Sequence, residues 1–264
     1  MVATALRAGR RLRAFVGVTG PNAEDYLQRM LSNDVEGLSP GEACEALLLT
    51  AKARLIAPLV VFRRGVDDFL LLTEPELGER VRDELLRFRF AAKAAIEVEE
   101  HESWLVLGTG EGGVPNHEYG VPAVEALGGR PDAADVGDDE LELLRIRAGT
   151  PRWGRELDER VLPAEAGLDA RAISFTKGCY PGQEPIARLH YRGHANRGLR
   201  VLALDGGELP AYDAELTWEG KPAGRVTSAA RAPEGGVIAL AYVRSEVPAD
   251  AGLRVGSRAA TQLH

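Results

Sequence analysis

The chain has 264 residues, and its formal net charge of −8 disfavours a broad grip on nucleic-acid phosphates, although one local basic site remains compatible with it. Its hydrophobic content of 45% is ordinary for a globular protein, and no apolar run approaches the roughly 20 residues that span a bilayer. The first residues lack the apolar stretch of a secretory signal and the two cysteines lie in unlike contexts, so we expect a cytoplasmic protein with free thiols and no membrane association.

The first part of the chain predicts an α+β arrangement. A helix is expected over residues 21–31, where Ala23, Leu27 and Met30 share one apolar face. The elements expected after it are three strands, a helix and two further strands, at Glu45–Thr50, Arg54–Phe62, Phe69–Thr73, Pro75–Phe88, Ile96–Glu99 and Trp104–Leu107. This order favours a sheet that is antiparallel at least in part.

The pattern changes twice in the second part of the chain. Residues 108–137 are rich in Gly, Pro, Asp and Ala, and we expect an irregular connection there with one short helix around Val121–Leu127. Asp138–Ala148 has acids first and arginines late, which is typical of a helix. From Leu199 onward, short strands spaced by turns predict a small all-β unit.

The stretch "FTKGCYPGQE" places Cys179 beside a predicted tight turn. Pro181 and Gly182 suit the two central positions of a type II turn, in which the glycine takes a positive φ. Open backbone N–H groups and the nearby Lys177 would lower the pKa of the thiol and raise its thiolate fraction. The alternative is a small buried cysteine, but the flanking glycines, tyrosine and proline favour a reactive one.

A basic segment follows directly. Between Pro185 and Leu204 there is no aspartate or glutamate, and the basic side chains are Arg188, His190, Arg192, His194, Arg197 and Arg200. Such a run is either a solvated connection or a wall that faces an anion, since arginine grips carboxylate and phosphate with two hydrogen bonds. The two histidines have no evident third ligand, so we expect no metal site.

The octapeptide "KGCYPGQE", followed by "IAR", resembles the K-G-C-[aromatic]-x-G-Q-E signature of the YgfZ family, which is related to the T-protein of the glycine cleavage system. The stretches "VTGPNAEDYLQRMLSNDV", "LRIRAGTPRWGRELDERVLPAEA" and "GRVTSAARAPEGGVIALAYV" extend the resemblance over nearly the whole chain. It implies three modules in a ring around a folate site. The modules would be a discontinuous one (1–38 and 104–196), a ferredoxin-like one (39–103) and a C-terminal β-barrel (197–264).

The resemblance also implies a function. Family members bind folate and support the assembly or maintenance of iron–sulfur enzymes, with a connection to tRNA modification. Tetrahydrofolate or a derivative would be the cofactor, iron–sulfur client or assembly proteins the partners, and the protein a monomer. Cys179 and Lys177 would serve chemistry. The residues matched to folate binding are Asn33, Arg147, Gly178, Tyr180, Gly182, Gln183, Glu184 and Arg188. A second interpretation of Gln183 and Glu184 is simply the start of a helix.

Two departures from the related T-proteins bear on activity. Ala57 and Pro58 stand where T-proteins carry an acidic pair, and neither can transfer a proton, which argues against glycine-cleavage chemistry. Arg147 stands where related proteins often have a glutamate, and arginine offers only donors to a pterin. The alternatives to an accessory role are a folate-dependent aminomethyltransferase or demethylase, and a partner-binding adaptor with a vestigial pocket.

Overall fold

The structure is a computed structural model that describes residues 5–263. Residues 1–4, with which the predicted first module begins, and residue 264, with which the predicted barrel ends, lie outside the described residues. The chain divides into two compact units. The described parts of the first unit are residues 5–116, Pro122–Asp135 and Leu168–Gly193, and those of the second are His117–Val121, Val136–Gly167 and 194–263.

The described residues form runs of consecutive strands that are separated by helices. The strands are β1 (Arg7–Arg10), β2 (Ala14–Thr19), β3 (Ala43–Leu49), β4 (Leu55–Gly65), β5 (Asp68–Thr73), β6 (Ala95–Glu99), β7 (Ser103–Leu107), β8 (Val114–Asn116), β9 (Ala123–Leu127), β10 (Ala134–Asp135), β11 (Arg197–Leu204), β12 (Glu215–Trp218), β13 (Lys221–Arg231), β14 (Val237–Arg244), β15 (Leu253–Val255) and β16 (Arg258–Leu263). The α-helices are α1 (Ala23–Met30), α2 (Gly78–Phe88), α3 (Asp138–Arg147), α4 (Asp169–Ala172) and α5 (Gln183–Arg192). Short 3₁₀ turns occupy Pro75–Leu77 and Pro163–Ala166.

A five-stranded antiparallel sheet in the order β3-β4-β5-β2-β6 forms the ferredoxin-like part of the first unit. Its strands and the helices α1 and α2 confirm the elements predicted between residues 21 and 99. α1 buries Tyr26, Leu27 and Met30, which lie on one side of the helix because of its 3.6-residue period. One strand, β2, comes from residues before position 39, and the predicted three-module division stays a prediction.

A second five-stranded sheet in the first unit has the order β10-β1-β7-β9-β8. The prediction of a short helix around Val121–Leu127 is wrong, because residues 123–127 form the strand β9, which pairs with β7 and β8. The carboxylate of Glu125, in that strand, is 2% exposed and lies 2.6 Å from Arg13 Nη2. Ser103 and Asn116 donate further hydrogen bonds to the same carboxylate. Tertiary pairing and this buried ion pair therefore override the weak local helix preference.

The second unit contains a closed six-stranded barrel in the order β11-β14-β13-β12-β15-β16, which confirms the predicted C-terminal barrel. Apolar side chains from alternate positions fill it, among them Leu202, Leu204 and Leu216. Helix α3 packs on the barrel through Leu143 and Ile146. Its acidic first turn and its late arginines follow the helix dipole, as the sequence predicts.

Candidate functional site

The residues Lys177–Glu184, here called the signature, lie in the first unit and enter α5 through a tight turn. The backbone N–H of Gln183 donates to the carbonyl oxygen of Tyr180 at 3.3 Å, which closes a four-residue turn with Pro181 and Gly182 in its centre. Gly182 has φ 85° and ψ 2°, the values of the third position of a type II turn. The turn predicted from the Pro-Gly pair is confirmed.

Gly182 also packs against backbone. A Cβ atom at this position would lie 2.6 Å from the carbonyl oxygen of Thr50 and 3.1 Å from the Cα of Ala53. These residues belong to the connection between β3 and β4. The glycine is required both by its positive φ and by this close approach, so the β3–β4 connection fixes the position of the turn.

Cys179 is exposed, between an open glycine and a buried tyrosine. A Cβ atom on Gly178 would meet nothing within 4 Å, so no other described residue packs against the backbone directly before Cys179 on that side. Tyr180 is 7% exposed, and burial raises the pKa of its hydroxyl to about 12. The tyrosine therefore anchors the segment in the unit while the neighbouring thiol stays accessible to reagents in solution.

Lys177 binds the end of α1. Its Nζ donates three hydrogen bonds to main-chain oxygens, those of Gln28 at 2.5 Å, Leu31 at 2.8 Å and Asn33 at 2.7 Å. An ammonium group has three donors, so all of them are used. Carbonyl groups at a helix C-terminus lack partners within the helix and carry partial negative charge. The lysine thus satisfies these carbonyls and ties the signature to α1.

The charges around Lys177 differ from the sequence-based picture. Burial lowers the pKa of Lys177 to about 8, while the charges of Asp34, Cys44 and Glu36 oppose this change. The Cys44 thiol is half-buried, and its Sγ lies 3.8 Å from the carbonyl oxygen of Asp34. Burial raises the pKa of Cys44 to about 12, against the charge of Lys177. Because main-chain oxygens use all three donors of Lys177, the lysine has no hydrogen bond left for the Cys179 thiolate and can affect it only through its charge.

Two residues between α1 and β3 hold the segment that precedes the signature. Asn33 Nδ2 donates to the carbonyl oxygens of Glu45 at 2.7 Å and Arg171 at 3.1 Å. Ser32, which is fully buried, donates through Oγ to the carbonyl oxygen of Ala172 at 2.6 Å. Asn33, expected to bind a cofactor, uses both amide hydrogens within the fold. Sequence reasoning missed Ser32, since its partners lie far along the chain.

The remaining signature residues begin α5. Gln183 is half-buried, and Glu184 and Arg188 are exposed one turn apart. None of these three side chains forms a hydrogen bond or ion pair with another residue of the described range 5–263. The helix-start interpretation is correct as geometry, and ligand contact by these side chains stays a prediction.

Arg147 and part of the basic segment belong to the second unit. The Arg147 guanidinium forms an ion pair with Glu234. Arg197 pairs with Glu165 at 3.1 Å and lies over the Tyr242 ring, and Arg200 donates to carbonyl oxygens and to a glutamine of the barrel. The predicted basic segment is thus divided, with Arg188, His190 and Arg192 in α5 and the later arginines engaged by barrel residues.

An aromatic group next to the signature was not predicted. The rings of Phe175 and His190 stack with centroids 3.9 Å apart and an interplanar angle of 23°. Tyr191 meets both rings edge to face, with centroids 6.2 Å from Phe175 and 4.8 Å from His190. In the sequence, only the adjacent His190 and Tyr191 in a basic helix point to this group. The sequence does not show that Phe175 packs against them.

Ala57 and Pro58 lie in β4, opposite Leu48 and Leu47 of β3. Ala57 is completely buried, and the carbonyl oxygen of Pro58 accepts a hydrogen bond from Thr73 Oγ1 at 2.8 Å. At these two positions the strand offers no ionisable group. Among the described residues, no three side chains of the His, Cys, Asp and Glu types are placed to hold a metal ion, and no helix is long and apolar enough to cross a membrane.

The second unit has a small cleft of about 190 Å³. It lies between residues 226–229, in the second half of β13, and the segment 209–212, and Glu142 and Arg155 also line it. Burial raises the pKa of Glu142, but its hydrogen bond to Arg145 and the charges of Arg145 and Arg152 outweigh that effect and lower it overall. None of the predicted site residues lines this cleft.

Comparison with a solved structure defines the class of fold. The glycine cleavage system aminomethyltransferase T from Bartonella henselae superposes with a TM-score of 0.85 and 18% sequence identity, over 98% of this chain and 85% of that protein. The chain therefore has the fold of aminomethyltransferase T. At this identity the likeness concerns the fold alone.

Sequence relatives define the family. The chain is 30% identical to tRNA-modifying protein YgfZ from Edwardsiella ictaluri, over 94% of this chain and 87% of that protein. It is 28% identical to the protein of the same name from Yersinia pestis, over 92% and 85% of the two chains, and 28% identical to an uncharacterized protein from Haemophilus influenzae, over 81% and 80%. No protein-family model matches the chain. The chain belongs to the YgfZ family.

Proposed function

We propose that this protein is a folate-binding accessory protein that supports the assembly or maintenance of iron–sulfur enzymes through Cys179. The observation that carries the proposal is an exposed thiol on a strongly fixed turn. Gly182 packs on the β3–β4 connection on one side of Cys179, and Lys177 is bound to α1 on the other. A surface cysteine that is needed only for packing does not require such support.

The process that we propose for this accessory role is tRNA modification. Relatives from Edwardsiella ictaluri and Yersinia pestis carry the name tRNA-modifying protein. A role in the cytoplasm and a monomeric state in three modules complete the proposal. The client enzymes would be recognised by surfaces outside the signature turn.

The side chains of Gln183 and Glu184 in the signature, and of Arg188 one turn later, fit a folate in their chemistry. A folate carries carboxylates on its glutamate tail, which match the guanidinium of Arg188, and N–H donors on its pterin, which match the carboxylate of Glu184. Gln183 can both donate and accept. Asn33, Arg147 and Lys177 are already engaged within the fold, so in our proposal they shape the protein and do not contact the cofactor.

An aminomethyltransferase or demethylase is the second candidate, favoured by the fold. It requires an ionisable group at the folate nitrogen, and Ala57 and Pro58 supply none at the position where the T-protein resemblance puts it. An adaptor without ligand chemistry is the third candidate. It gives no reason for an exposed cysteine on a turn that is fixed on both sides.

Two measurements test the proposal. Calorimetric titration with tetrahydrofolate and with its formyl and methylene forms should give saturable binding, which Glu184→Gln and Arg188→Gln weaken. In cells that lack the protein, Cys179→Ser should fail to restore the activity of iron–sulfur enzymes, while Cys44→Ser restores it. Saturable folate binding together with full function of Cys179→Ser would reject the thiol role and keep the folate site. Absence of folate binding would reject the folate site.

A further inference from the structure

The outward side of α5 carries an exposed tyrosine between two arginines. Arg188, Tyr191 and Arg192 are spaced i, i+3 and i+4, so they lie on one face of the helix, which we call the α5 face. Tyr191 is 68% exposed. Neither arginine forms an ion pair with any residue of the described range 5–263. Although the chain has a net charge of −8, the two unpaired guanidinium groups make the surface around the exposed ring locally positive.

The tyrosine ring is supported from within the first unit. Its edge-to-face contacts with the stacked Phe175 and His190 rings restrict its side-chain rotation. Little conformational entropy is then lost when a ligand packs on the exposed part of the ring. The α5 face thus combines a held aromatic surface with fixed positive charge, one turn after the signature.

We propose that the α5 face is a docking site for an unpaired segment of nucleic acid, with a base stacked on Tyr191 and backbone phosphates held by Arg188 and Arg192. Unstacked bases pack on aromatic rings, and guanidinium groups bind the phosphates beside them. Inside a duplex, both faces of each base are already stacked, so an internal paired base cannot pack on the tyrosine. An acidic peptide would match the arginines, but it would leave the ring without a partner.

The size of the site follows from the charge of the rest of the protein. Because the chain is acidic overall, phosphates beyond the α5 face gain little attraction, and we expect a short footprint of a few nucleotides. The proposal does not use the Cys179 thiol, and it shares only Arg188 with the folate contacts proposed above. Binding by the α5 face is expected to persist in Cys179→Ser.

The test uses fluorescence anisotropy of a labelled 12-nucleotide RNA of mixed sequence at low salt, with a DNA of the same sequence and the corresponding RNA duplex as comparisons. Tyr191→Leu should weaken binding of the unpaired RNA by about 5- to 150-fold, the range for loss of one stacked base, while Tyr191→Phe keeps it. Arg192→Gln should lower the slope of log affinity against log salt by about 0.7, the value for one contact with a single strand. The stronger of the RNA and DNA ligands identifies the source of the segment.

Matched variants control for exposure and charge. Tyr212→Leu removes another exposed tyrosine, and Arg29→Gln removes an exposed arginine on α1 that pairs with Asp25. Both should leave the affinity unchanged, and circular dichroism should show that every variant is folded. The proposal is overturned if the duplex binds as tightly as the unpaired RNA, or if neither the unpaired RNA nor the unpaired DNA binds. It is also overturned if polyglutamate displaces the RNA while Tyr191→Leu has no effect, which would indicate an acidic protein partner.

Discussion

The ammonium group of Lys177 lies 2.8 Å from the carbonyl oxygen of Leu31, at the C-terminal end of α1. The two residues are 146 positions apart in sequence, so this hydrogen bond connects the signature with the start of the fold. Lysine in the signature is therefore a structural requirement of the turn, in addition to any electrostatic effect that it has on Cys179.

Replacement of Lys177 by methionine should destabilise the protein. Methionine has a similar length but no donor, so the carbonyl oxygens of Gln28, Leu31 and Asn33 lose the hydrogen bond from Lys177, and each buried group left unsatisfied costs about 1–3 kcal/mol. Urea unfolding at pH 7 measures the loss. Arg82→Met, which removes an exposed ion pair on α2, is the control and should change the stability little. Equal stability of Lys177→Met and the unmodified protein would contradict the anchoring role.

The same lysine predicts a pH dependence. Its pKa is about 8 in the folded protein, because of burial, and 10.5 without it, so between these values the unfolded chain binds more protons. The free energy of unfolding should therefore rise with pH across this window, relative to Lys177→Met. The measurement is the difference between the two proteins in urea unfolding from pH 7 to pH 10.5. A difference that is constant or falls with pH would contradict the lowered pKa.

Gly182→Ala should be strongly destabilising, whereas Gly178→Ala should be tolerated. At position 182 an alanine would have to adopt φ 85° and would place its Cβ 2.6 Å from the Thr50 oxygen, so we expect a loss of at least about 2 kcal/mol. At position 178 the added methyl group meets nothing within 4 Å. Thermal unfolding of the two variants checks this. Similar melting temperatures for both would mean that the β3–β4 connection does not hold the turn.

Sequence reasoning succeeded where the determining interactions are local. The acid-first pattern of Asp138–Arg147 predicts a helix, and the Pro181-Gly182 pair predicts a turn, from neighbouring residues alone. Both elements are found as predicted. It failed at Ala123–Leu127, where a strand forms because β7 and β8 pair with it on both sides. It could not find the partners of Lys177, since they lie 144–149 residues earlier in the chain.

The loss of Arg145 should lower the free energy of unfolding far more than the loss of Arg147 on the same helix. Arg145 Nη1 lies 3.1 Å from the carboxylate of Glu156, whose side chain is completely buried. Arg145→Met leaves this carboxylate without its charge partner and should cost about 3–5 kcal/mol. Arg147→Met removes only the exposed pair with Glu234 and should cost about 1 kcal/mol or less. Urea unfolding that shows equal losses would contradict the assignment of the buried pair.

The protein should not catalyse aminomethyl transfer. Ala57 and Pro58 leave the corresponding part of β4 without a proton donor or acceptor, and proton transfer needs a placed ionisable group. Purified protein incubated with tetrahydrofolate and an aminomethyl-lipoyl donor should release neither formaldehyde nor methylene-tetrahydrofolate above background. An aminomethyltransferase T assayed in parallel provides the positive control. Turnover well above background would restore the transferase as the leading function.

Cys179 should be alkylated much faster than Cys44. The Cys179 thiol is exposed, whereas Cys44 is half-buried and burial raises its pKa to about 12, so Cys44 holds almost no thiolate near neutral pH. Iodoacetamide at pH 7.5, followed by mass spectrometry of the peptides, measures both rates in one sample. Cys179→Ser should remove the fast reaction and Cys44→Ser should leave it. If tetrahydrofolate binds against the Cys179 thiol, its addition should slow the alkylation of Cys179. If Cys179 reacts no faster than Cys44, the turn does not present a reactive thiol, and the proposed chemistry of the signature fails with it.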